Sequence, residues 1–231
     1  MDPKKLFIDE RLKGICTYCG AKPDSRDHVP SRVFLDKPYP ENLPVVESCS
    51  KCNREFSADE EYLACFLECV VQGTTEPNAN FREKVTNTLQ SRPSIKERIR
   101  EAKTIDEDNN LIWQPEIGRV RNVVLKLARG HMAYELGIQY TEEPIVLDML
   151  PIPLLSEEQL ASFNSQEDES HFLYPEIGSR AFINLLTGKQ TAYENWCTVQ
   201  NGLYRYKLSQ SNGNWVKFVL REYLACRVVW G

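Results

Sequence analysis

The spacing of hydrophobic residues predicts three helical segments in the first 140 residues. Ser57 and Glu60 have the spacing of a capping box, so we expect the first helix to begin at Ala58. Gly73 is a natural end for that helix, because glycine readily takes the left-handed conformation after a last helical turn. The predicted helical segments are 58–72, a basic stretch over 80–103 with a break at Pro93, and 119–136.

The last fifty residues have a different pattern, typical of β-strands. The runs NWCTVQ, LYRYKLS and WVKFVL are rich in aromatic and β-branched side chains. Asn201-Gly202 and Asn212-Gly213 separate these runs, and Asn-Gly favours two-residue hairpin turns. A further strand over 223–230 would continue the series. The pattern predicts an antiparallel β-meander.

Residues 1–13 are expected to form a short charged helix or arm, and residues 14–56 are rich in loops, with extended runs expected at His28–Phe34 and Leu43–Val46. Together with the helices and the meander, they predict an α+β protein. The expected organisation is an N-terminal module over 1–74, a helical region over 75–140, and an acidic segment followed by a β-rich region over 141–231.

The charge of the chain is unevenly distributed. The sequence has 33 acidic and 28 basic side chains, a net charge of −5. Residues 130–179 contain ten acids and neither Lys nor Arg, so the other residues carry 28 basic and 23 acidic side chains. The net charge therefore does not exclude a nucleic-acid partner. The simplest interpretation of the acidic segment is a solvated surface.

Neither a membrane span nor a secretory signal is expected. The longest apolar stretch runs from Leu63 to Val71 and is interrupted by Glu68, which is far short of the ~20 residues that cross a bilayer. The start, MDPKKLFIDE, lacks the apolar centre of a signal peptide. We therefore expect a cytoplasmic protein whose cysteines are reduced.

Four cysteines have the spacing of a zinc site. Cys16 and Cys19 form one C-x2-C pair, and Cys49 and Cys52 form another. Each pair can present two sulfurs to one tetrahedral ion, and four thiolates leave no open position, so the expected zinc is structural. The alternative is four buried thiols. The remaining cysteines, 65, 69, 197 and 226, are expected to pack in the core.

A second group of polar side chains lies between and after these cysteine pairs. Asp27-His28-Val29-Pro30 lies between the two C-x2-C pairs, Asn42 precedes the second pair, and Asn53 follows its last cysteine. This combination resembles the HNH endonucleases, in particular the zinc-containing branch with a ββα-metal core. The resemblance covers about residues 14–72.

The resemblance implies a role for each of these residues. His28 would be the general base, and Asn42 would be the amide that holds its imidazole. Asp27 and Asn53 would bind the catalytic metal, with Asn53 in the place where many members have a histidine. Because both ligands supply oxygen, they suit Mg²⁺ or Mn²⁺.

Each residue also has a simpler interpretation. His28 could be a polar loop residue or a zinc ligand, whereas Asp27 and Asn53 could serve turns and helix caps. Asp27 and His28 are neighbours on a strand, so they would point to opposite faces unless the strand bends. Outside the motif, His131 is expected to pack in its helix and His171 to lie in a loop.

The expected function is metal-dependent hydrolysis of DNA phosphodiester bonds, as the resemblance implies, in host defence or mobile-element biology. The alternatives are an RNA-directed nuclease and a non-catalytic zinc module that binds nucleic acid or protein. The C-terminal region is a candidate surface for a protein partner or a second copy of the chain. Candidate phosphate contacts, which could equally be solvated charges, are Arg32, Lys51 and Arg54.

Overall fold

A computed structural model shows a mixed α+β fold. Its described parts contain five α-helices, two short two-stranded sheets and one five-stranded antiparallel sheet. The predictions of an α+β protein and of a C-terminal antiparallel sheet are therefore confirmed. Within the described ranges, no helix combines the length and apolar character that crossing a membrane requires. The structure describes residues 10–41, 43–165, 186–187, 196–210 and 213–231.

The N-terminal region folds as a β-hairpin followed directly by a long helix. Strand β1 (Ser25–His28) pairs antiparallel with β2 (Val45–Ser48). The register sets Asp27 opposite Val46 and His28 opposite Val45. Helix α1 (Ser50–Gln72) begins directly after the hairpin. The end of β1 bears Asp27 and His28, and the N-terminus of α1 bears Asn53.

The prediction that this helix begins at Ala58 is wrong, because α1 already begins at Ser50. Cys49 is the N-cap, and its sulfur accepts a hydrogen bond from the backbone N–H of Cys52 at 3.4 Å. The Asp24 carboxylate accepts two further bonds, from the backbone N–H and the hydroxyl of Ser50, at 2.5 and 2.7 Å. A cysteine and a residue before the hairpin thus cap the helix, which the local pattern around Ser57 did not indicate.

The predicted extended run over 28–34 is only partly correct. Strand β1 ends at His28, and Arg32–Phe34 forms a 3₁₀ turn. The ammonium of Lys84 stabilises this turn by donating to the carbonyls of Arg32 and Leu35 at 2.6 and 3.1 Å. The second predicted run overlaps β2.

The middle of the chain is helical, as predicted. Helices α2 (Glu83–Ser91) and α3 (Pro93–Glu101) are separated near Pro93, and α4 spans Ile117–Leu136. A small hairpin that the sequence did not indicate lies between α3 and α4. It consists of β3 (Lys103–Ile105) and β4 (Leu111–Trp113).

The C-terminal sheet has the strand order β5-β9-β8-β7-β6. The predicted meander supplies four of these strands. The edge strand β5 lies within the acidic segment, where no strand was expected, and it pairs with β9. A short helix, α5 (Glu157–Asn164), follows β5. The five strands are β5 (Val146–Pro151), β6 (Cys197–Gln200), β7 (Tyr204–Ser209), β8 (Asn214–Leu220) and β9 (Leu224–Trp230).

One of the hairpin turns in the sheet has the Asn-Gly sequence signal and another does not. Gly202 has a positive φ of 71°, as the Asn-Gly signal predicts. The turn between β8 and β9 contains no glycine, and Arg221 and Glu222 take positive φ values of 56° and 47°.

Some residues named in the sequence analysis lie outside the described residues. These are Asn212, His171 and the acidic stretch 167–169.

Helix α4 packs against both α1 and the C-terminal sheet. Its apolar side chains share one core with Leu63 and Leu67 of α1 and with Tyr206 and Phe218 of the sheet. The three predicted segments, 1–74, 75–140 and 141–231, therefore contribute to a common core. The division of the chain into three regions stays a prediction.

Candidate functional site

The four motif cysteines come together at the junction of the hairpin and α1. Their sulfur atoms all lie within 4.8 Å of one another, and the sulfurs of Cys19 and Cys49 are 3.8 Å apart. Four sulfurs placed ~2.3 Å from one tetrahedral zinc ion would be separated by about 3.8 Å. The cluster is therefore compatible with the predicted structural zinc.

Backbone N–H groups point at two of these sulfurs. The amide of Cys49 donates to Sγ of Cys16 at 3.2 Å, and the amide of Cys52 donates to Sγ of Cys49 at 3.4 Å. The bond from Cys52 lowers the pKa of the Cys49 thiol to about 7. Burial instead raises the pKa of Cys52. A bound cation would favour all four thiolates, since metal binding displaces the thiol protons.

Elements beyond the hairpin also support the cysteine cluster. The side chain of Gln139, just after α4, donates to the backbone carbonyl of Cys16 at 2.8 Å. Ala133 of α4 packs in one apolar cluster with Cys16 and Cys52. The cysteine cluster is thus in contact with a helix that lies far from it in the sequence.

Asp27 and His28 at the end of β1 have different surroundings. Asp27 is only 8% exposed, whereas His28 is half-buried. Oδ2 of Asp27 accepts a hydrogen bond from the Tyr18 hydroxyl at 2.8 Å and lies 2.7 Å from Nζ of Lys126. This difference agrees with the alternation of side chains along a strand.

Lys126, on α4, also binds a second carboxylate. Its Nζ lies 2.6 Å from Oε1 of Glu60 on α1. Burial alone would lower the pKa of Lys126, but the charges of Glu60 and Asp27 outweigh burial and raise it. Burial raises the pKa of Glu60. We call Asp27, Lys126 and Glu60, with the neighbouring hydroxyls of Ser31 and Tyr18, the lysine cluster.

Asn53 lies in the first turn of α1, close to β1. Its Nδ2 donates to the backbone carbonyl of Arg26 at 3.3 Å, which ties the start of the helix to the strand that bears Asp27 and His28. Asn42 lies outside the described residues. Of the predicted site residues outside the cysteine cluster, Asp27, His28 and Asn53 thus lie on two elements that contact each other.

The candidate phosphate contacts are exposed. Lys51 and Arg54 lie on the first turns of α1, and the guanidinium of Arg32 lies over the ring of Tyr39, 5.2 Å from its centroid. Arg26 was not predicted, yet it is exposed and lies two positions before His28, which puts it on the same face of β1. The shared face of Arg26 and His28 could have been predicted from the sequence, because side chains two positions apart on a strand point the same way.

The lysine cluster is the feature that the sequence analysis missed. Lys126 is a charged residue in the predicted helix 119–136, yet it is buried. One signal was present, because Lys126 follows Val123 by three positions and precedes Gly130 by four, so it lies on the buried side of α4.

Comparisons of the chain with family models, with curated proteins and with solved structures find no match. The resemblance to HNH endonucleases therefore depends on the motif residues alone.

Proposed function

We propose that this protein is a zinc-stabilised endonuclease that hydrolyses DNA phosphodiester bonds with a divalent cation. One observation supports the proposal most. Asp27 and His28 end β1, and the Asn53 amide from the first turn of α1 bonds to β1 at Arg26. Side chains suited to phosphodiester hydrolysis thus come from two adjoining elements, with the cysteine cluster at their junction.

His28 is the proposed general base. A neutral imidazole near pH 7 can accept the proton of an attacking water. His28 ends its strand and is less buried than Asp27, which suits a group that must exchange protons with water. Asn42 would hold the imidazole, and this role stays a prediction.

The oxygen atoms of Asp27 and Asn53 fit Mg²⁺ or Mn²⁺, which prefer oxygen ligands. Oδ2 of Asp27 already accepts bonds from Tyr18 and Lys126, so we assign the other oxygen, Oδ1, to the cation. When bound, the cation would neutralise charge on the phosphate and stabilise the leaving oxygen. The carbonyl oxygen of Asn53 is the second proposed ligand, because its nitrogen is bonded to Arg26.

Basic side chains near these elements would bind the nucleic-acid backbone. Arg32, Lys51 and Arg54 keep the role that the sequence suggested, and the exposed Arg26 joins them. Such contacts position a substrate without reading its sequence. A protein partner or a second copy at the C-terminal region stays a prediction.

A specific observation also favours a second candidate, a non-catalytic zinc module. Asp27 is almost buried and paired with Lys126, so its presence has a structural explanation that does not involve catalysis. This module would bind nucleic acid or protein without cutting it. An RNA-directed nuclease differs from the main proposal only in substrate, because the base and the cation contact a phosphate in either case.

A cleavage assay distinguishes these candidates. Zinc-loaded protein would be incubated with plasmid, single-stranded DNA and structured RNA, with Mg²⁺, Mn²⁺ or EDTA. We expect DNA cleavage with either cation and none with EDTA. Cleavage of RNA alone would indicate the RNA-directed nuclease.

Two histidine variants complete the assay. His28→Ala should lose cleavage while His171→Ala, the same change outside the motif, keeps it. Binding of nucleic acid without cleavage under any metal would favour the non-catalytic module. Equal cleavage by His28→Ala and the wild type would contradict the assignment of His28.

A further inference from the structure

Lys126 is a charged side chain inside the molecule, and it is about 1% exposed. Three oxygen atoms surround its ammonium, Oγ of Ser31 at 2.5 Å, Oε1 of Glu60 at 2.6 Å and Oδ2 of Asp27 at 2.7 Å. Burying an ammonium is costly unless it is paired and hydrogen-bonded. The three oxygens meet that requirement, so the location of Lys126 is strongly specified.

The lysine cluster joins three separate parts of the chain. Asp27 lies at the end of β1, Glu60 lies in the middle of α1, and Lys126 comes from α4. One turn after Lys126, Gly130 contacts Val29 so closely that an added Cβ would lie 2.7 Å from a Val29 methyl carbon. Helix α4 is therefore held against the strand that carries the candidate site.

One carboxylate oxygen of Asp27 receives two of the contacts in the lysine cluster. The Lys126 ammonium and the Tyr18 hydroxyl both lie within hydrogen-bond distance of Oδ2. Two donors at one oxygen fix the orientation of the carboxylate. The other oxygen is the one that our proposed function assigns to the divalent cation.

We propose that Lys126 is a positioning residue of the candidate nuclease site, which holds the Asp27 carboxylate so that Oδ1 faces the divalent cation. This inference rests on the proposed function. Glu60 has a different role, since it binds the ammonium of Lys126 and is not a proposed ligand of the cation. Partners that orient ligating carboxylates typically change metal affinity or activity by ~10–100-fold when they are removed.

A purely structural role is the alternative, and buried ion pairs are weak evidence for a stabilising purpose. Apolar side chains of similar size often serve a core as well as a buried ion pair does. The Lys126 ammonium binds the carboxylate of Asp27, which precedes His28. The orientation of this carboxylate matters for cation binding in the proposed function. The two roles differ in one measurable quantity, the affinity of the folded protein for the divalent cation.

The test measures Mn²⁺ binding to the zinc-loaded full chain without nucleic acid, from the EPR signal of free Mn²⁺. Removing only Lys126 would leave two buried carboxylates facing each other, so the main variant combines Lys126→Met with Glu60→Gln. We expect its Mn²⁺ affinity to fall by ~10–100-fold. The matched control is Glu60→Gln alone, which keeps the bond between Lys126 and Asp27 and should keep the affinity.

A second variant covers the case in which the double variant does not fold. Tyr18→Phe deletes one oxygen and thereby removes the other donor to Oδ2, with little change in packing. We expect it to weaken Mn²⁺ binding in the same direction and by a smaller factor. Zinc content and thermal unfolding would be measured for each variant to establish that it is folded.

The outcomes separate this inference from the proposed function. Wild-type Mn²⁺ affinity in the folded double variant would overturn the role of Lys126 and leave the nuclease proposal standing. If the double variant fails to fold, wild-type Mn²⁺ affinity in Tyr18→Phe would overturn the proposed positioning of Asp27 by the lysine cluster. An equal loss in Glu60→Gln alone would assign the effect to Glu60 instead. If the zinc-loaded wild-type protein binds no Mn²⁺, the divalent-cation site of the proposed function is wrong, and this inference fails with it.

Discussion

The N-terminal hairpin region and the C-terminal sheet are stabilised in different ways. The buried apolar cluster of the hairpin region is small, and two of its members are Cys16 and Cys52 of the metal site. By contrast, each strand from β6 to β9 contributes buried side chains to the largest core. The hairpin region therefore combines a candidate metal site with a buried ion cluster, whereas the sheet depends on packing. Loss of metal and loss of packing should thus affect different parts of the molecule.

The largest expected effect is the loss of zinc. Structural zinc contributes on the order of 10 kcal/mol to sites of this size. We expect Cys52→Ser to lose zinc and to expose the amides of β1 and β2 to hydrogen exchange, while those of β7 to β9 stay protected.

Cys226→Ala is the matched control for Cys52→Ser. Cys226 is completely buried in the sheet, away from the four motif cysteines. Its loss should leave one zinc per chain. Metal analysis that finds no zinc in the wild-type protein would contradict the prediction.

A packing change in the sheet should have the reverse effect. Phe218 is completely buried in β8, and removing a buried phenylalanine side chain typically costs ~3–5 kcal/mol. We expect Phe218→Ala to lower the free energy of unfolding by that amount and to leave zinc content unchanged. Denaturant unfolding together with metal analysis tests this. Zinc loss in a folded Phe218→Ala protein would show that the two regions are not separable in this way.

The smallest expected effect concerns the contact between α4 and the hairpin region. A Cβ at Gly130 would lie 2.7 Å from a methyl carbon of Val29, so Gly130→Ala should cost ~1–3 kcal/mol. Gly118, on the same helix, has no described atom within 4 Å of an added Cβ apart from its chain neighbours and the adjacent backbone of the helix itself. Gly118→Ala should therefore be neutral or stabilising by ~0.4–1 kcal/mol. Equal thermal unfolding temperatures for the two variants would contradict the close contact.

The elements that the sequence predicted are those with a periodic pattern of burial. Tyr204, Tyr206 and Leu208 alternate along β7 and are all buried, which is the pattern of a strand with one face in the core. Edge strand β5 lacks that alternation, since most of its residues are half-buried. The start of α1 was missed because one of its caps, Asp24, lies 26 residues before Ser50.

The candidate site divides in the same way. The spacing of the four cysteines predicted a cluster, because each C-x2-C pair is a local feature. The lysine cluster depends on long-range contacts, which no local pattern predicts. Lys126 lies 66 positions after Glu60 and 99 positions after Asp27 in the sequence. Lys126 could only have been suspected from its place on the apolar side of α4.

The most direct test of the proposed function is the rate of DNA cleavage as a function of Mn²⁺ concentration. Asn53→Ala removes a proposed ligand, so high Mn²⁺ should restore part of its activity. His28→Ala removes the proposed base, which typically costs ~10²–10⁴ in rate, and added Mn²⁺ should not restore it. Rescue of Asn53→Ala but not of His28→Ala is the predicted result. Rescue of His28→Ala by Mn²⁺ to the wild-type rate would contradict the account.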